Sequence, residues 1–118
     1  MRTVAAAMTS VPILDASTTI QDASAAMLDA HVEAAIVSDG PRLRGLVTAR
    51  DVADGLADRD VGSTPVADIA RWDPLVVGEQ DALAEARARM RAADAAIAVV
   101  IGDDGRPVGV LPDDVSAV

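Results

Sequence analysis

The chain has 118 residues and matches itself at an offset of about 62 to 64 residues, which constrains its fold more than any other feature. The stretch from Ile20 to Ala30 aligns with Leu83 to Ala93, and Gly45-Leu46-Val47 aligns with Gly109-Val110-Leu111. Several such segments recur in one order, which indicates a duplicated unit. A unit of about 55 residues is small for independent stability. We therefore expect the two units to pack sheet on sheet as one body.

Each unit is predicted to contain a short strand, a helix, two further strands and a second helix. Apolar residues of the first helix follow helical spacing, which predicts a face turned towards a core: Ile20, Ala23, Met27 and Ala30. Thr18 is the expected N-cap of this helix, with Gln21 completing a capping box. Asp81 is the expected N-cap of the corresponding helix in the second unit.

The predicted strands are short apolar runs next to turn-forming residues. Ala35-Ile36-Val37 and the run from Ile97 to Ile101 are typical of buried strands. Glycine-containing turns follow both runs and lead to further strands at Arg44 to Val47 and at Val108 to Leu111. Between the units, Thr64-Pro65 predicts the start of another helix, since proline is tolerated at the first helical position.

Composition excludes several classes of protein. The net charge is −9, so the overall field repels nucleic acid and anionic membranes. Cysteine is absent, and no apolar run approaches the roughly 20 residues of a membrane span. His31 is the only histidine, without a nucleophile or metal-ligand cluster beside it, so neither a catalytic residue nor a metal site is predicted. We expect a cytoplasmic protein that is not an enzyme.

One stretch carries a specific family pattern. The segment Gly45-Leu46-Val47-Thr48-Ala49-Arg50-Asp51-Val52 resembles the signature that closes a CBS (cystathionine-β-synthase) repeat: glycine, two apolar residues, Thr or Ser, two variable residues and Asp. Val4 to Met8, Pro12-Ile13, the helix containing Met27, and Val37 to Gly40 also resemble that family's pattern. The resemblance covers essentially the whole chain as two repeats.

The resemblance implies an α/β (α+β) fold in which two β-α-β-β-α repeats, residues 1–61 and 62–118, form a pseudo-twofold pair called a Bateman module. Pairs of this family commonly bind AMP, ADP, ATP or another adenosyl compound, and they usually dimerise. No required cofactor is implied. The chain is therefore expected to be a stand-alone regulatory protein and a homodimer, which signals a bound ligand to an effector protein through a change of conformation or oligomeric state.

The same resemblance assigns the residues of the ligand site. Thr48 is implied to contact phosphate or ribose through its hydroxyl, and Asp51 to accept hydrogen bonds from the ribose hydroxyls. Arg50 is added on chemical grounds, since its charge can offset that of a phosphate, although CBS sequences often have Arg there without ligand contact. The remaining implied contacts, mostly to adenine, come from a loop and two strands: Ser10, Val11, Pro12, Ile13, Ala34 and Ile36.

Elementary chemistry agrees with a ligand at Thr48 and Asp51 but also offers an alternative. A helix that begins at Thr48 exposes unpaired N–H groups, and an ionised Asp accepts hydrogen bonds from a vicinal diol. Thr48-x-x-Asp51 is equally the capping arrangement that begins ordinary helices. The same two residues can serve both purposes. A module that has lost its ligand and serves only to oligomerise is therefore the alternative function.

The second repeat departs from the signature. In the segment from Gly109 to Val115, Pro112 occupies the position of the hydroxyl residue and Val115 that of the acid, which Asp114 reaches only if one residue is deleted. Proline brings neither a hydroxyl nor an N–H to a ligand, although it can begin a helix. The last helix is also cut short at Val118. We expect a degenerate second repeat and at most one competent site.

Overall fold

The computed structural model describes residues 1–55 and 60–113, which divide into two compact units. One unit comprises residues 11–73, and the other combines residues 1–10 with the chain from Pro74 onwards. The repeats predicted at 1–61 and 62–118 divide the sequence differently and stay a prediction. Each compact unit takes a short segment from the repeat to which most of its residues do not belong.

The unit of residues 11–73 is a four-stranded sheet with helices. Its elements are the strands β1 (Ile13–Asp15), β2 (Ala34–Asp39), β3 (Arg42–Thr48) and β4 (Arg71–Trp72), the helices α1 (Ile20–Asp29) and α2 (Ala49–Gly55), and a 3-10 helix at Val66–Asp68. The strand order is β1-β2-β3-β4. The first two strands are parallel, and the other two pairings are antiparallel.

The second unit repeats this plan with a three-stranded sheet. Its elements are the strands β5 (Val76–Gly78), β6 (Ile97–Ile101) and β7 (Pro107–Pro112), the helix α3 (Leu83–Ala92), and a 3-10 helix at Val4–Ala6. The order is β5-β6-β7, with a parallel and then an antiparallel pairing. Thr9 forms a bridge with Val110 in the position that β4 occupies in the first unit. The predicted mixed α+β fold, built from two similar units, is confirmed.

Each unit has its own core between its long helix and one face of its sheet. In the first, α1 contributes Ile20, Ala23 and Met27, and the strands contribute Ala35, Val37 and Val47. In the second, α3 contributes Leu83, Ala86 and Met90, and the strands contribute Val77, Ala98, Val100 and Leu111. Burying a branched side chain of this kind contributes about 1.5–3 kcal/mol. The helical spacing seen in the sequence therefore identified the buried faces of both helices, but the prediction was wrong for Ala30, which is the exposed C-cap of α1.

The predicted helix caps were wrong by one residue. Thr19, not Thr18, is the N-cap of α1, and its side chain accepts from the backbone N–H of Asp22 at 3.1 Å. The carbonyl of Thr18 instead accepts from the N–H of Val66 at 2.6 Å. This tertiary hydrogen bond holds the 3-10 helix against the beginning of α1, which displaces the cap to the next residue.

The caps expected at Asp81 and Thr64 were also wrong. The N-cap of α3 is Ala82, which has no side-chain cap, while the carboxylate of Asp81 accepts from the N–H of Gly78 at 2.8 Å. Asp81 therefore closes the turn after β5 rather than capping the helix. Pro65 is the N-cap of a 3-10 helix, not the first residue of an α-helix, and that helix has no side-chain cap.

His31 lies at a helix end that requires a left-handed backbone conformation. The chain leaves α1 through His31, whose φ is 56°, and the N–H of Val32 donates to the carbonyl of Met27 at 3.0 Å. Asp94 has a φ of 53° at the equivalent position after α3, where Ala95 donates to Met90 at 2.8 Å. This is a Schellman motif, in which glycine is usual. The position of His31 is therefore explained by the way in which α1 ends.

We expect His31→Gly to raise the free energy of unfolding by about 0.5–1 kcal/mol, because a Cβ is disfavoured in the left-handed region. Ala30→Gly is the matched control. Ala30 has a right-handed backbone with a φ of −87°, so the added chain entropy should lower stability by about 0.5–1 kcal/mol. Urea denaturation followed by circular dichroism measures both changes. The same sign for both variants would contradict this account.

Gly45 permits a close approach of two backbones. Gly45 on β3 lies opposite Trp72 on β4, and a Cβ added at Gly45 would be 2.5 Å from the carbonyl oxygen of Arg71. In the other unit, a Cβ added at Gly109 would be 2.5 Å from the carbonyl oxygen of Thr9. Real side chains do not occupy such space, so the glycine of the signature is a packing requirement in both units.

Gly45→Ala is expected to lower the free energy of unfolding by about 1–3 kcal/mol, because β4 must move away from β3. Gly109→Ala should have a similar effect through Thr9. Gly62→Ala is the control: its Cβ would meet the end of the flexible Gln21 side chain at 3.2 Å, so the change should stay within about 0.5 kcal/mol. Equal denaturation midpoints for the Gly45 and Gly62 variants would contradict the packing requirement.

Candidate functional site

Thr48 and Asp51 form a reciprocal pair where β3 ends and α2 begins. The hydroxyl of Thr48 accepts from the N–H of Asp51 at 3.1 Å, and the carboxylate of Asp51 accepts from the N–H of Thr48 at 2.9 Å. This is a capping box with Asp in the place of the usual Glu. The structural interpretation of Thr48-x-x-Asp51 is therefore confirmed, and the ligand role stays a prediction.

The strand register brings several of the predicted site residues together. Ala34, the first residue of β2, lies opposite Thr48. Two residues further along β2, Ile36 lies opposite Ile13 of β1, and its N–H donates to the carbonyl of Pro12 at 2.9 Å. These five residues therefore lie on three adjacent segments of one sheet.

The exposure of these residues determines what each can offer to a ligand. The side chain of Ile13 is 49% exposed, whereas Ala34 and Ile36 are buried, at 5% and 0%. Val11 and Pro12 are half-buried, and Arg50 is exposed on the first turn of α2. Ser10 is the last residue of the other compact unit, so the unit of residues 11–73 does not by itself contain this predicted contact.

Arg71 is a charged neighbour of Asp51 that the sequence did not suggest. Its Nε lies 3.1 Å from one carboxylate oxygen of Asp51 and 3.3 Å from the other. The Arg71 side chain is 59% exposed and that of Asp51 is 12% exposed. An ion pair with so exposed a partner contributes about 0–1 kcal/mol to stability. The carboxylate is thus shared between the backbone of Thr48 and a weakly held guanidinium.

The ring of Trp72, the neighbour of Arg71 on β4, contacts a different cation, the guanidinium of Arg44. The guanidinium carbon of Arg44 lies 4.8 Å from the centroid of the Trp72 ring, and the same guanidinium is 3.6 Å from the carboxylate of Asp39. Trp72 is 47% exposed and belongs to the unit of residues 11–73. Arg44 is therefore held by the ring and by Asp39, which leaves Arg71 as the cation bonded to Asp51.

Pro112 occupies in the second unit the position that Thr48 has in the first. It is the last residue of β7 and lies opposite Ile97 at the beginning of β6, and the following N–H, of Asp113, donates to Ala96 at 2.9 Å. Pro112 completes the strand, as Thr48 completes β3, and a helix after it would lie outside the described residues, so that possibility stays a prediction. Asp114, Val115 and the end of the last helix at Val118 lie outside the described residues, so the predictions for them are unchanged.

Two cavities lie beside α3 in the second unit, away from the predicted site. Their volumes are about 250 and 640 Å³, and Arg87 and Arg91 line both. The Nε of Arg87 is buried and has no hydrogen-bond partner within residues 1–55 and 60–113. None of the residues predicted to bind a ligand lines either cavity.

Asp15, at the end of β1, has a pKa below its ordinary value. The hydroxyl of Ser17 donates to the Asp15 carboxylate, and this hydrogen bond lowers the pKa most. The N–H of Ser17 donates to the same oxygen at 2.9 Å and lowers the pKa further. The group is fully exposed, so we attach no stability to it. It lies outside the candidate site.

The described part of the chain contains neither a metal-binding cluster nor a helix that could span a membrane. In residues 1–55 and 60–113 no three His, Cys, Asp or Glu side chains come together in a way that could hold a metal ion. Across the same residues, no helix combines the length and the apolar character that crossing a membrane requires.

The weak ion pair between Arg71 and Asp51 predicts that removing the two side chains lowers stability by different amounts. Arg71→Ala should lower the free energy of unfolding by about 1 kcal/mol at most, because the guanidinium is exposed. Asp51→Ala should cost about 1–2 kcal/mol, because it also removes the carboxylate that completes the capping box of α2. Urea denaturation of both single variants and of the double variant measures the coupling. A larger loss for Arg71→Ala than for Asp51→Ala would contradict the assignment.

Comparison with known families gives the class of the protein. The CBS domain family matches the chain twice, over residues 4–58 and 66–114, and the chain therefore belongs to the CBS domain family. The resemblance seen in the sequence is confirmed. The two matched regions divide the chain at different residues from the two compact units: residues 4–10 of the first match and 66–73 of the second each belong to the other unit.

Particular relatives extend this result. An uncharacterised protein, MJ1404 of Methanocaldococcus jannaschii, is 32% identical over 94 residues, which cover 78% of this chain and 22% of that protein. The chain thus spans about a fifth of that relative's length. CBS domain protein PAE2072 from Pyrobaculum aerophilum, solved in complex with AMP, is 26% identical with a TM-score of 0.79, covering 95% of this chain and 87% of that one.

Two further solved structures share the fold. CBSX2, in complex with AMP, has a TM-score of 0.74 at 24% identity, covering 95% of this chain and 90% of that one. Hypoxic Response Protein I, with two coordinated zinc ions, has a TM-score of 0.76 at 24% identity, covering 94% and 92%. These likenesses extend over nearly the full length of both chains, so the whole described chain has the architecture of a CBS pair.

Proposed function

We propose that the protein is a regulatory CBS pair that binds an adenosine nucleotide beside Thr48 and Asp51. The observation that carries the proposal is the reciprocal pair of hydrogen bonds at the end of β3, next to Ala34, in which the Thr48 hydroxyl accepts from the N–H of Asp51 and the Asp51 carboxylate accepts from the N–H of Thr48. The similarity to PAE2072, a CBS domain protein solved with AMP, supports the choice of ligand.

The hydrogen-bonding capacity of the two side chains suits a nucleotide. The oxygen of Thr48 accepts from the N–H of Asp51, so its own O–H remains a donor for a phosphate or ribose oxygen. The carboxylate of Asp51 is an acceptor, and a ribose presents two neighbouring O–H donors. The half-exposed Ile13, with Val11 and Pro12 before it, offers an apolar surface for adenine.

The other residues of the proposed site have smaller parts. Ala34 and Ile36 are buried and form the wall beneath the ligand, and the N–H of Ile36 is already bonded to Pro12. Arg50 supplies positive charge from the first turn of α2, and Ser10 precedes the adenine-binding segment. Because Pro112 stands in the place of Thr48 in the second unit, we expect one nucleotide per chain.

The expected readout is a change of conformation or of oligomeric state, sensed by a partner protein. We expect a homodimer, no catalysis and no required cofactor, as in a regulatory module. Light scattering with and without AMP, ADP or ATP measures the oligomeric state. Assays for released phosphate and adenosine over several hours test for turnover of the nucleotide, which would contradict a purely regulatory role.

Nucleotide binding should stabilise the fold. At a ligand concentration of 100 times Kd, the gain is about 2.7 kcal/mol, or a rise in Tm of ~10 °C for a chain of this size. A thermal-shift panel of adenosine, AMP, ADP, ATP, NAD and S-adenosylmethionine measures this rise. Thr48→Val should abolish the response because it removes the hydroxyl, whereas Thr48→Ser should keep it.

Thr19→Val is the matched control for the loss of a cap. Thr19 caps α1 in the same unit through the same kind of hydrogen bond, so both valine variants should lose about 1 kcal/mol of stability without ligand. Only the Thr48 variant should lose the ligand response. The proposal fails if no compound of the panel raises the Tm of the wild-type chain, or if both valine variants respond alike.

One observation favours the alternative, a ligand-free module that only oligomerises. The Asp51 carboxylate already accepts from Thr48 and Arg71, so its structural role is complete without a ligand. Under that alternative the chain dimerises in light-scattering measurements while every compound of the panel leaves the Tm unchanged. The two functions therefore give opposite results in the same experiment.

A further inference from the structure

The guanidinium of Arg71 is only partly used in its contact with Asp51. Its Nε donates to the two carboxylate oxygens at 3.1 and 3.3 Å. Guanidinium has five N–H donors in a rigid fork, so four remain. Within residues 1–55 and 60–113, the two terminal nitrogens of Arg71 have no hydrogen-bond partner. The guanidinium therefore has N–H donors available to bind an anion beside Asp51.

Arg71 also competes with the diol that Asp51 is proposed to bind. A carboxylate has about four lone-pair sites, and the N–H of Thr48 and the two contacts to Arg71 occupy three of them. A ligand that brings only a ribose must share Asp51 with Arg71 or displace it. A ligand that also brings a phosphate gives the displaced guanidinium a new partner.

The exposure of Arg71 and the chemistry of guanidinium both favour the exchange of Asp51 for a phosphate as its partner. Arg71 is 59% exposed, so little burial or packing holds it in its present position. Guanidinium binds phosphate in a bidentate manner, with charge-assisted hydrogen bonds that are shorter and stronger than neutral ones. Arg44 on the neighbouring strand contacts both the Trp72 ring and Asp39, so its guanidinium has two partners where that of Arg71 has one.

We propose that Arg71 makes the site selective for adenosyl compounds that carry a phosphate over adenosyl compounds that are neutral or cationic. Arg71 contacts Asp51 in the structure; when a nucleotide binds, Arg71 turns to the phosphate and leaves Asp51 to the ribose. This inference rests on the proposed function. It goes further because it names the charge class of the ligand and the residue that determines it.

The test is a calorimetric titration of AMP and of adenosine, which differ only in the phosphate. The wild-type chain should bind AMP at least about tenfold more tightly than adenosine, which corresponds to about 1.4 kcal/mol. Arg71→Ala should lower the ratio severalfold, mainly by weakening AMP, while adenosine binds at least as well as before. Thr48 and Arg50 keep part of the preference for the phosphate. Arg71→Lys keeps the charge but not the fork, so it should give an intermediate ratio.

Arg42→Ala is the control for the loss of one positive charge. Arg42 is exposed at the other end of β3, about 20 Å along the strand from Thr48, so its variant should keep the wild-type ratio. A change in the ratio of two affinities separates charge recognition from a general loss of fold, which would weaken both ligands equally. Circular dichroism of each variant verifies the fold.

The outcomes distinguish this inference from the proposed function. If the wild-type chain and Arg71→Ala have the same ratio of AMP to adenosine affinity, the role of Arg71 is overturned and nucleotide binding stands. If the wild-type chain binds adenosine as tightly as AMP, the selectivity itself is overturned. If it binds neither compound nor any other of the panel, the proposed function fails, and the inference fails with it.

Discussion

The close approach of two backbones at Gly45 is the constraint on which the rest of this structure depends. Because Gly45 has no Cβ, β4 can lie against β3, with the carbonyl of Arg71 in the space that a side chain would occupy. The pairing places Arg71 and Trp72, which belong to the predicted second repeat, in the unit of residues 11–73. Gly109 and Thr9 make the same contact in the other unit. Compact units and sequence repeats therefore divide the chain at different residues.

Much of the fold could be predicted from the sequence because it depends on apolar spacing. The predicted helices from Ile20 to Ala30 and from Leu83 to Ala93 end one residue beyond the observed ones, at their C-caps. The N-cap of α1 could not be predicted, because the adjacent residues Thr18 and Thr19 have the same capping chemistry. Only a tertiary hydrogen bond, from Val66 to the carbonyl of Thr18, decides in favour of Thr19.

The candidate site was predictable to the extent that it is local in sequence. Thr48 and Asp51 are three residues apart and belong to one motif, so their contact follows from the turn of a helix. Arg71 is 20 residues from Asp51, and their contact depends on the register of β3 with β4. The internal alignment held one signal: Arg71 corresponds to Thr9, so the repeats differ in charge at that position.

The two repeats have diverged in side chains while their backbones keep the same contacts. Thr9 exchanges two backbone hydrogen bonds with Val110, at 2.8 and 2.9 Å, in the place where Arg71 pairs with Leu46. The strand pairing needs a glycine and an extended backbone, so it does not restrict the side chain at this position. Arginine can therefore stand at this position in place of threonine without disturbing the strand pairing. In the unit of residues 11–73 it places the guanidinium of Arg71 beside the carboxylate of Asp51. Together with Pro112 in the place of Thr48, it concentrates the polar chemistry of the pair in the unit of residues 11–73.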